Sequence, residues 1–275
     1  MGEPYEVLAL RYATHERPAS ANLLYPPGPG EDPHDGPMPI DYFVWVCRNA
    51  QRTVVVDTGF DWPAARAHGR TMLRHPVEGL RALGVDPEAV RDVVITHLHY
   101  DHAGNLGAFP NATFHLQDEE MAYATGRCMC HARLRSAFAV EDVVSMVRRV
   151  YDGRVAFVDG AAEIAPGLSV HHVPGHTRGL QCVRVDTVRG PVVLASDAAH
   201  FYANLERQNP FPIVVDLAAM MESWTTLLRL AGDPDRIVPG HDPLVRSFYP
   251  AEPLGGGEAV RLHEPPRRAP GVPGA

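Results

Sequence analysis

The chain has 275 residues, enough for one large domain or two small ones with a full core. It is 45% hydrophobic and 21% charged with a formal net charge of −8, which argues against a nucleic-acid binder, since such proteins present a basic face. No apolar run approaches the ~20 residues that span a bilayer. The N-terminus, MGEPYEVLALRYATHERP, has neither the layout of a secretory signal nor the Ser or Thr of a myristoylation motif, so a cytoplasmic protein is expected.

Residues 5–11 (YEVLALR) read as a first strand. Residues 17–39 (RPASANLLYPPGPGEDPHDGPMP) are dense in Pro and Gly and read as a long loop, a candidate lid or dimer contact. IDYFVWVCRN and TVVVDTG read as two strands joined by a tight turn near Asn49–Arg52. Residues 62–83 read as one helix, with Pro63 in its first turn and Gly84 as its stop. RDVVIT is a short buried strand. Residues 117–151 form a helix-rich insert with helices at 117–125 and 139–151. In the second, Val143, Val144, Val147 and Val150 recur at helical spacing. RVAFV, LSVHHV, CVRVDTV and PVVLAS follow as strands. Residues 216–231 make an amphipathic helix with Asp216 as N-cap, and RIVP is a last strand. Residues 1–250 then form a single domain, and the Pro- and Gly-rich tail 251–275 is expected to be disordered. The order of elements suggests two β halves, each covered by helices.

The cysteines, Cys47, Cys128, Cys130 and Cys182, are too few and too scattered for a disulfide framework. Cys128-Met-Cys130 is a CxC pair without a partner pair, and Met129 with its flanking cysteines is a candidate wall of an acyl groove.

Histidine is the unusual residue, with 15 copies. Three of them and an aspartate crowd into THLHYDHAG, at 96–104. His97 and His99 are two apart and point the same way in extended chain. Asp101 and His102 follow after a bend, where they can serve a neighbouring ion. Imidazole with carboxylate suits zinc, manganese or iron rather than calcium. The signal recurs downstream: His176 in VPGHTRG, Asp197 in LASDAAH and His241 in VPGHDP. Each alone also reads as a capping Asp or a polar loop His. Together, all at strand exits beside turn residues, they argue for a metal site. His171, His172 and the other histidines, His15, His68 and His115 among them, are assigned no ligand role.

THLHYDHAG, PGHT-x-G, SDA and PGHD, in this order over roughly residues 5–248, resemble the metallo-β-lactamase superfamily. The resemblance implies an α/β fold, the αβ/βα sandwich of two mixed β-sheets with helices outside, with a metal site at one edge between the sheets. It also implies two divalent metal ions, Zn2+ first and Mn2+ or Fe2+ as alternatives. His97, His99 and His176 would hold one, and Asp101, His102 and His241 the other. Asp197 would bridge them. Asp57, in VVVDTG, matches the family's early aspartate and would orient a ligand histidine through its other N–H. Two such ions can hold a hydroxide that attacks a carbonyl carbon, and Asp101 would pass a proton to the leaving group.

Within the superfamily, Asp197 speaks against the β-lactamases proper, which generally lack the bridge. The RNA-processing branch carries an inserted domain for which this acidic chain has no room. Glyoxalase II ends in a helical domain with basic residues for glutathione, whereas 34 proline-rich residues follow His241 here (275 − 241). The chain is most similar to the N-acyl-homoserine lactonases, with an aromatic residue, Tyr100, between the second His and the Asp. The expected function is therefore lactone hydrolysis. Alternatives are pyridoxolactone, another ester, thioester or amide, and mononuclear-iron oxidoreductase chemistry. These lactonases carry a tyrosine three residues after the bridging aspartate. Here that position is His200, with Tyr202 two further on, and either could donate to an oxyanion. Tyr100, Phe201, Arg207 and Phe211 are candidate substrate contacts, with Arg207 suited to a carboxylate. The expected partner is a small lactone or ester, with no nucleic acid and no membrane, and a homodimer remains open.

Overall fold

The computed structural model describes residues 2–28 and 34–267. In chain order, strands β1 (Glu6–His15), β2 (Ile40–Arg48) and β3 (Thr53–Val56) lead into helix α1 (Trp62–His68), strand β4 (Thr71–Met72) and helix α2 (Pro76–Ala82). Next come β5 (Asp92–Val94), the single turn α3 (Tyr100–Ala103), β6 (Thr113–Gln117), α4 (Asp118–Thr125), α5 (Ala132–Arg135), α6 (Val140–Tyr151) and β7 (Val155–Val158). The second half holds β8 (Ala161–Ala165), β9 (Leu168–His172), β10 (Gln181–Thr187), β11 (Gly190–Ser196), α7 (Tyr202–Glu206) and α8 (Leu217–Ala231). It closes with β12 (Ile237–Pro239), α9 (Leu244–Phe248) and β13 (Ala259–Arg261).

The larger sheet runs β13-β1-β2-β3-β5-β6-β7, with β4 added on β1, and the smaller runs β12-β11-β10-β9-β8. Both are mixed. Strands β3, β5, β6 and β7 pair parallel, as do β11 and β12, while the remaining neighbours pair antiparallel.

Strand β2 shows why the layers form. Successive side chains on a strand point to opposite faces. Tyr42, Val44 and Val46 enter a core shared with Leu80 of α2 and Met146 of α6. Phe43, Trp45 and Cys47 enter the core between the sheets, against Val170, Val183 and Leu194. A strand covered on both faces reads as a continuous apolar run rather than an alternation. Helix α8 covers the far face of the smaller sheet, with Met220, Trp224 and Leu227 against Cys182, Val193 and Ile237. The stack is therefore helices, sheet, sheet, helix: the αβ/βα sandwich. No helix among the described residues is long and apolar enough to cross a membrane.

Two expectations are corrected. The single helix over 62–83 is broken into α1 and α2. Gly69 ends α1 in the left-handed region, at φ 65°, and Pro76 opens α2. A proline inside a continuous helix would clash with the carbonyl four residues back. The intervening Thr71 and Met72 pair instead with Thr14 and Ala13 of β1. The tail is the second correction. Residues 259–261 form β13 and pair antiparallel with Leu8–Leu10, and Val260 and Leu262 are buried. Without β13, β1 would leave a row of unpaired backbone groups at this edge. Residues 268–275 of the expected disordered tail, and 29–33 of the long loop, lie outside the described residues.

If β13 belongs to the folded sheet, Leu262→Ala removes a fully buried side chain and lowers stability by about 2–5 kcal/mol. Urea denaturation measures this. A loss within about 0.5 kcal/mol, as at an exposed site, would contradict the docked tail.

Candidate metal centre

Several strands deliver their C-terminal ends to one rim of the sandwich. His97 and His99 follow β5, His176 lies in the turn between β9 and β10, Asp197 follows β11, and His241 follows β12. Two clusters result. In the first, His99 Nδ1 lies 3.0 Å from both His97 Nε2 and His176 Nε2. In the second, His102 Nε2 and His241 Nε2 lie 3.6 and 3.8 Å from Asp101 Oδ2. Asp197 stands between them and divides its oxygens. Oδ2 is 3.1 Å from His176 Nε2 and 3.7 Å from His97 Nε2. Oδ1 is 3.0 Å from His241 Nε2 and 3.3 Å from His102 Nε2.

The outward bonds of the rings fix which nitrogen faces inward. His102 Nδ1 lies 2.7 Å from Asp57 Oδ2, His176 Nδ1 is 2.8 Å from the Ile213 carbonyl, and His241 Nδ1 is 2.9 Å from the Asp41 carbonyl. Those partners only accept, so each Nδ1 carries the proton and each Nε2 offers a lone pair to the centre. His97 follows by counting. Thr96 Oγ1 donates its one proton to Asp57 Oδ2 at 2.8 Å and accepts from Ser196 Oγ at 2.9 Å. Its remaining lone pair accepts from His97 Nδ1 at 3.2 Å. Asp57 thus orients His102 directly and His97 through Thr96. It does so from a left-handed backbone, at φ 59°, a conformation that costs a non-glycine residue about 1–3 kcal/mol.

These residues fit a pair of divalent ions. All the ligand atoms of each cluster lie within 4.8 Å of one another. His102 Nε2 is buried and has no hydrogen-bond partner. Burial drives His97 and His99 well below the usual histidine range, and the adjacent imidazoles push the same way, so both present neutral lone pairs. At His102 and His241 burial also disfavours charge, but Asp197 and Asp101 outweigh it and both are raised. A place where carboxylates favour a proton on imidazole also favours a metal cation. Nitrogen with carboxylate oxygen is a donor set for zinc, manganese or iron.

The family model of the metallo-beta-lactamase superfamily matches residues 39–241. The chain belongs to the metallo-β-lactamase superfamily. Several relatives are known in this superfamily. The N-acyl homoserine lactonase AttM of Azorhizobium caulinodans is 33% identical over 181 residues, 61% of this chain and 64% of that one. An N-acyl homoserine lactonase of a Bacillus species is 32% identical over 133 residues, so the match spans about half of its length, 48%. Human metallo-beta-lactamase domain-containing protein 1 is 29% identical over 275 residues, 94% of this chain and 89% of that one. Among solved structures, a quorum-quenching N-acyl homoserine lactone lactonase superposes with a TM-score of 0.71 at 22% identity. It covers 88% of this chain and 94% of that one, a likeness of fold.

Around this superfamily centre the structure adds residues that sequence reasoning missed. Glu120, buried in α4, accepts from the Leu98 N–H at 2.9 Å through Oε1. Its Oε2 accepts from Thr177 Oγ1 at 2.6 Å and from the Gly179 N–H at 3.1 Å. One carboxylate thus clamps the His97–His99 loop to the His176 loop. A Cβ at position 179 would meet Glu120 N at 2.0 Å, which explains the glycine of PGHT-x-G. In sequence, Glu120 passes as one of three acids in a helix's first turn, which usually answer only the helix dipole. Helix α8 holds two ligand loops in the same way. Trp224 Nε1 donates to the Ala198 carbonyl at 2.5 Å and Ser223 Oγ to that of Pro174 at 2.7 Å.

Of the expected substrate contacts, Tyr100, His200 and Phe211 line a small cavity over the centre, which adjoins one of about 300 Å³. His200 stacks on Phe211, with ring centroids 3.8 Å apart, and its Nε2 lies 3.1 Å from Asp197 Oδ2. Residues of the 117–151 insert, Tyr123, Leu134 and Ala137 among them, wall the larger cavity. Three expectations fail. Tyr202 points into the core between the sheets, where its ring packs 5.4 Å from that of Phe248. Phe201 packs in the helix-side core. Arg207 is exposed and lines a separate groove with Leu23, Leu24 and Tyr25. Helix α7 begins at Tyr202 and rotates these side chains away from the rim. Arg17 comes from the long loop read as a candidate lid, and Ile40, Tyr42, Arg70 and Ile213 line the cavity without having been singled out from sequence. His68, given no role from sequence, stacks on Tyr100 at 3.9 Å. Cys128 and Cys130 are absent from every described group of metal-competent side chains.

If Glu120 holds the two loops in register, Glu120→Gln weakens metal binding by about 10–100-fold, the usual effect of losing an outer partner of the ligands. Chelator competition measures this. A fall in the melting temperature of the metal-free protein with unchanged metal affinity would make Glu120 a folding residue only.

Proposed function

We propose that the chain is a hydrolase holding two zinc-class ions that opens a small lactone, of the N-acyl homoserine lactone kind or a near relative. The observation that carries this reading is the division of Asp197, with one oxygen toward His97 and His176 and the other toward His102 and His241. A single ion would leave one of these histidine sets with nothing to hold. The names of the Azorhizobium and Bacillus relatives favour a lactone over other esters. Manganese or iron suits the same donors.

Two such ions supply Lewis acidity at the scissile carbonyl and a water-derived nucleophile at neutral pH. The chain's own residues do the rest. Asp101 is more exposed than Asp197, at 12% against 3%, and faces the cavity. A carboxylate there can carry a proton toward the leaving oxygen. His200 is held neutral, its pKa pushed down to about 3 by burial. With Asp197 Oδ2 as its acceptor, Nε2 carries the proton. That N–H is engaged by Asp197, so His200, fixed by the Phe211 stack, orients the carboxylate that stands between the two histidine sets. Tyr100 and Ala137 line the cavity beside Asp101.

Elemental analysis is expected to give about two zinc-class ions per chain. Proton release should follow addition of short- to long-chain acyl-homoserine lactones or pyridoxolactone, and His97→Ala should abolish it. His200→Phe removes the hydrogen bond to Asp197 and should weaken metal binding about 10–100-fold, read by chelator competition. One iron per chain with oxygen uptake and no lactone turnover would refute the reading.

A further inference from the structure

Two arginines enter the cavity over the candidate metal centre without an ion-paired carboxylate among the described residues. Arg17 donates to the Ala21 carbonyl and lies 5.1 Å over the Phe211 ring. Arg70 donates from Nε to the Tyr100 hydroxyl at 3.0 Å and from Nη1 to the His68 carbonyl at 2.7 Å. Both are partly buried and both line the cavity. The only acids in that lining are Asp101 and Asp197. Both are already assigned to the ions. Two divalent ions, two carboxylates and a hydroxide would leave a charge of +1 before either guanidinium is added. A partly buried cation without a counter-charge is costly. A neutral substrate would do nothing to relieve it.

The placement of Arg17 is specific. It covers Phe211, which stacks on His200, whose Nε2 is 3.1 Å from the bridging carboxylate. An anion at Arg17 is therefore two stacked rings away from the reacting carbonyl, at the far end of a ligand several bonds long. A guanidinium presents a planar fork that matches a carboxylate. Arg133 of α5 lines the adjoining cavity and adds positive charge along the same path.

Resting on the lactonase reading above, we propose that the natural substrate is an anionic lactone or ester. Arg17, supported by Arg70, would grip a carboxylate remote from the scissile bond. This departs from a site built for a neutral acyl chain, and the role expected of Arg207 passes to Arg17.

The test uses a matched pair of substrates, N-glutaryl homoserine lactone and its methyl ester, on the metal-loaded protein. The anionic member is expected to have the higher kcat/KM by about tenfold or more, the scale of a charge-assisted hydrogen bond. Arg17→Gln should collapse that ratio, and Arg17→Lys should restore part of it. The ratio is taken within each variant, so general damage cancels, and melting curves confirm folding. An equal ratio in the wild type and Arg17→Gln overturns the proposal and leaves Arg17 as a strut for its own loop. If neither lactone is hydrolysed, the lactonase reading fails separately, and calorimetric binding of glutarate against butyrate then decides. Glutarate should bind about tenfold tighter or more, and that advantage should vanish in Arg17→Gln. No advantage in the wild type overturns the proposal.

Discussion

The architecture of the rim depends on one carboxylate held between two sets of imidazoles. Asp197 is buried, and burial alone would raise its pKa. His200, His241, His102 and His176 reverse that and hold it well below the usual carboxylate range. The balance works only if every ring turns the correct nitrogen inward. Four of the rings are therefore tied from behind: His102 by Asp57, His97 by Thr96, His176 by the Ile213 carbonyl and His241 by the Asp41 carbonyl. The rim is thus one hydrogen-bonded unit in which moving any ring disturbs the charge balance of the others.

That unit accounts for features that are otherwise unfavourable. Asp57 and Ser196 adopt left-handed backbone at the ends of β3 and β11, at φ 59° and 48°. Both conformations aim a functional group that an extended chain would point elsewhere, and such strain persists only where the surroundings over-determine it. Here the surroundings are the strand pairings. β3 and β5 pair parallel, which brings Asp57 beside the loop that carries His97. Similarly, β11 and β12 pair parallel, which brings Asp197 beside His241. A Cβ at Gly240 would meet Ser196 backbone at 2.7 Å, so the glycine of PGHD lets those two loops touch.

The cluster of metal-competent side chains was legible in the sequence because ion binding demands rare residue types at fixed offsets. HxHxDH, His176, Asp197 and His241 each stand just past an apolar run, and a strand end is where a side chain can leave the sheet. Other residues depend on contacts with distant parts of the chain, which no local pattern records. Glu120 looks like its exposed neighbours Asp118 and Glu119 until α4 docks beside the His176 loop. Tyr202 and His200 are two residues apart, and only the onset of α7 sends one into the core and leaves the other at the rim. The tail reads as disordered from its prolines and glycines, yet a vacant edge on β1 captures three of its residues.

Chemistry and selectivity are therefore encoded differently in this fold. The histidine and aspartate cluster sits on strand ends fixed by two sheets. The wall is assembled from separate segments: Arg17 from the loop after β1, Arg70 beside β4, Ala137 from the α5–α6 connection and Phe211 from the loop after α7. None of these touches the sheet hydrogen-bonding that holds the ligands. Replacing Arg17 or Phe211 would alter what the cavity accepts while leaving Asp197 and its histidines in place. His200 is the exception, since it contacts both the bridging carboxylate and Phe211. It is the point where a change in the wall reaches the chemistry.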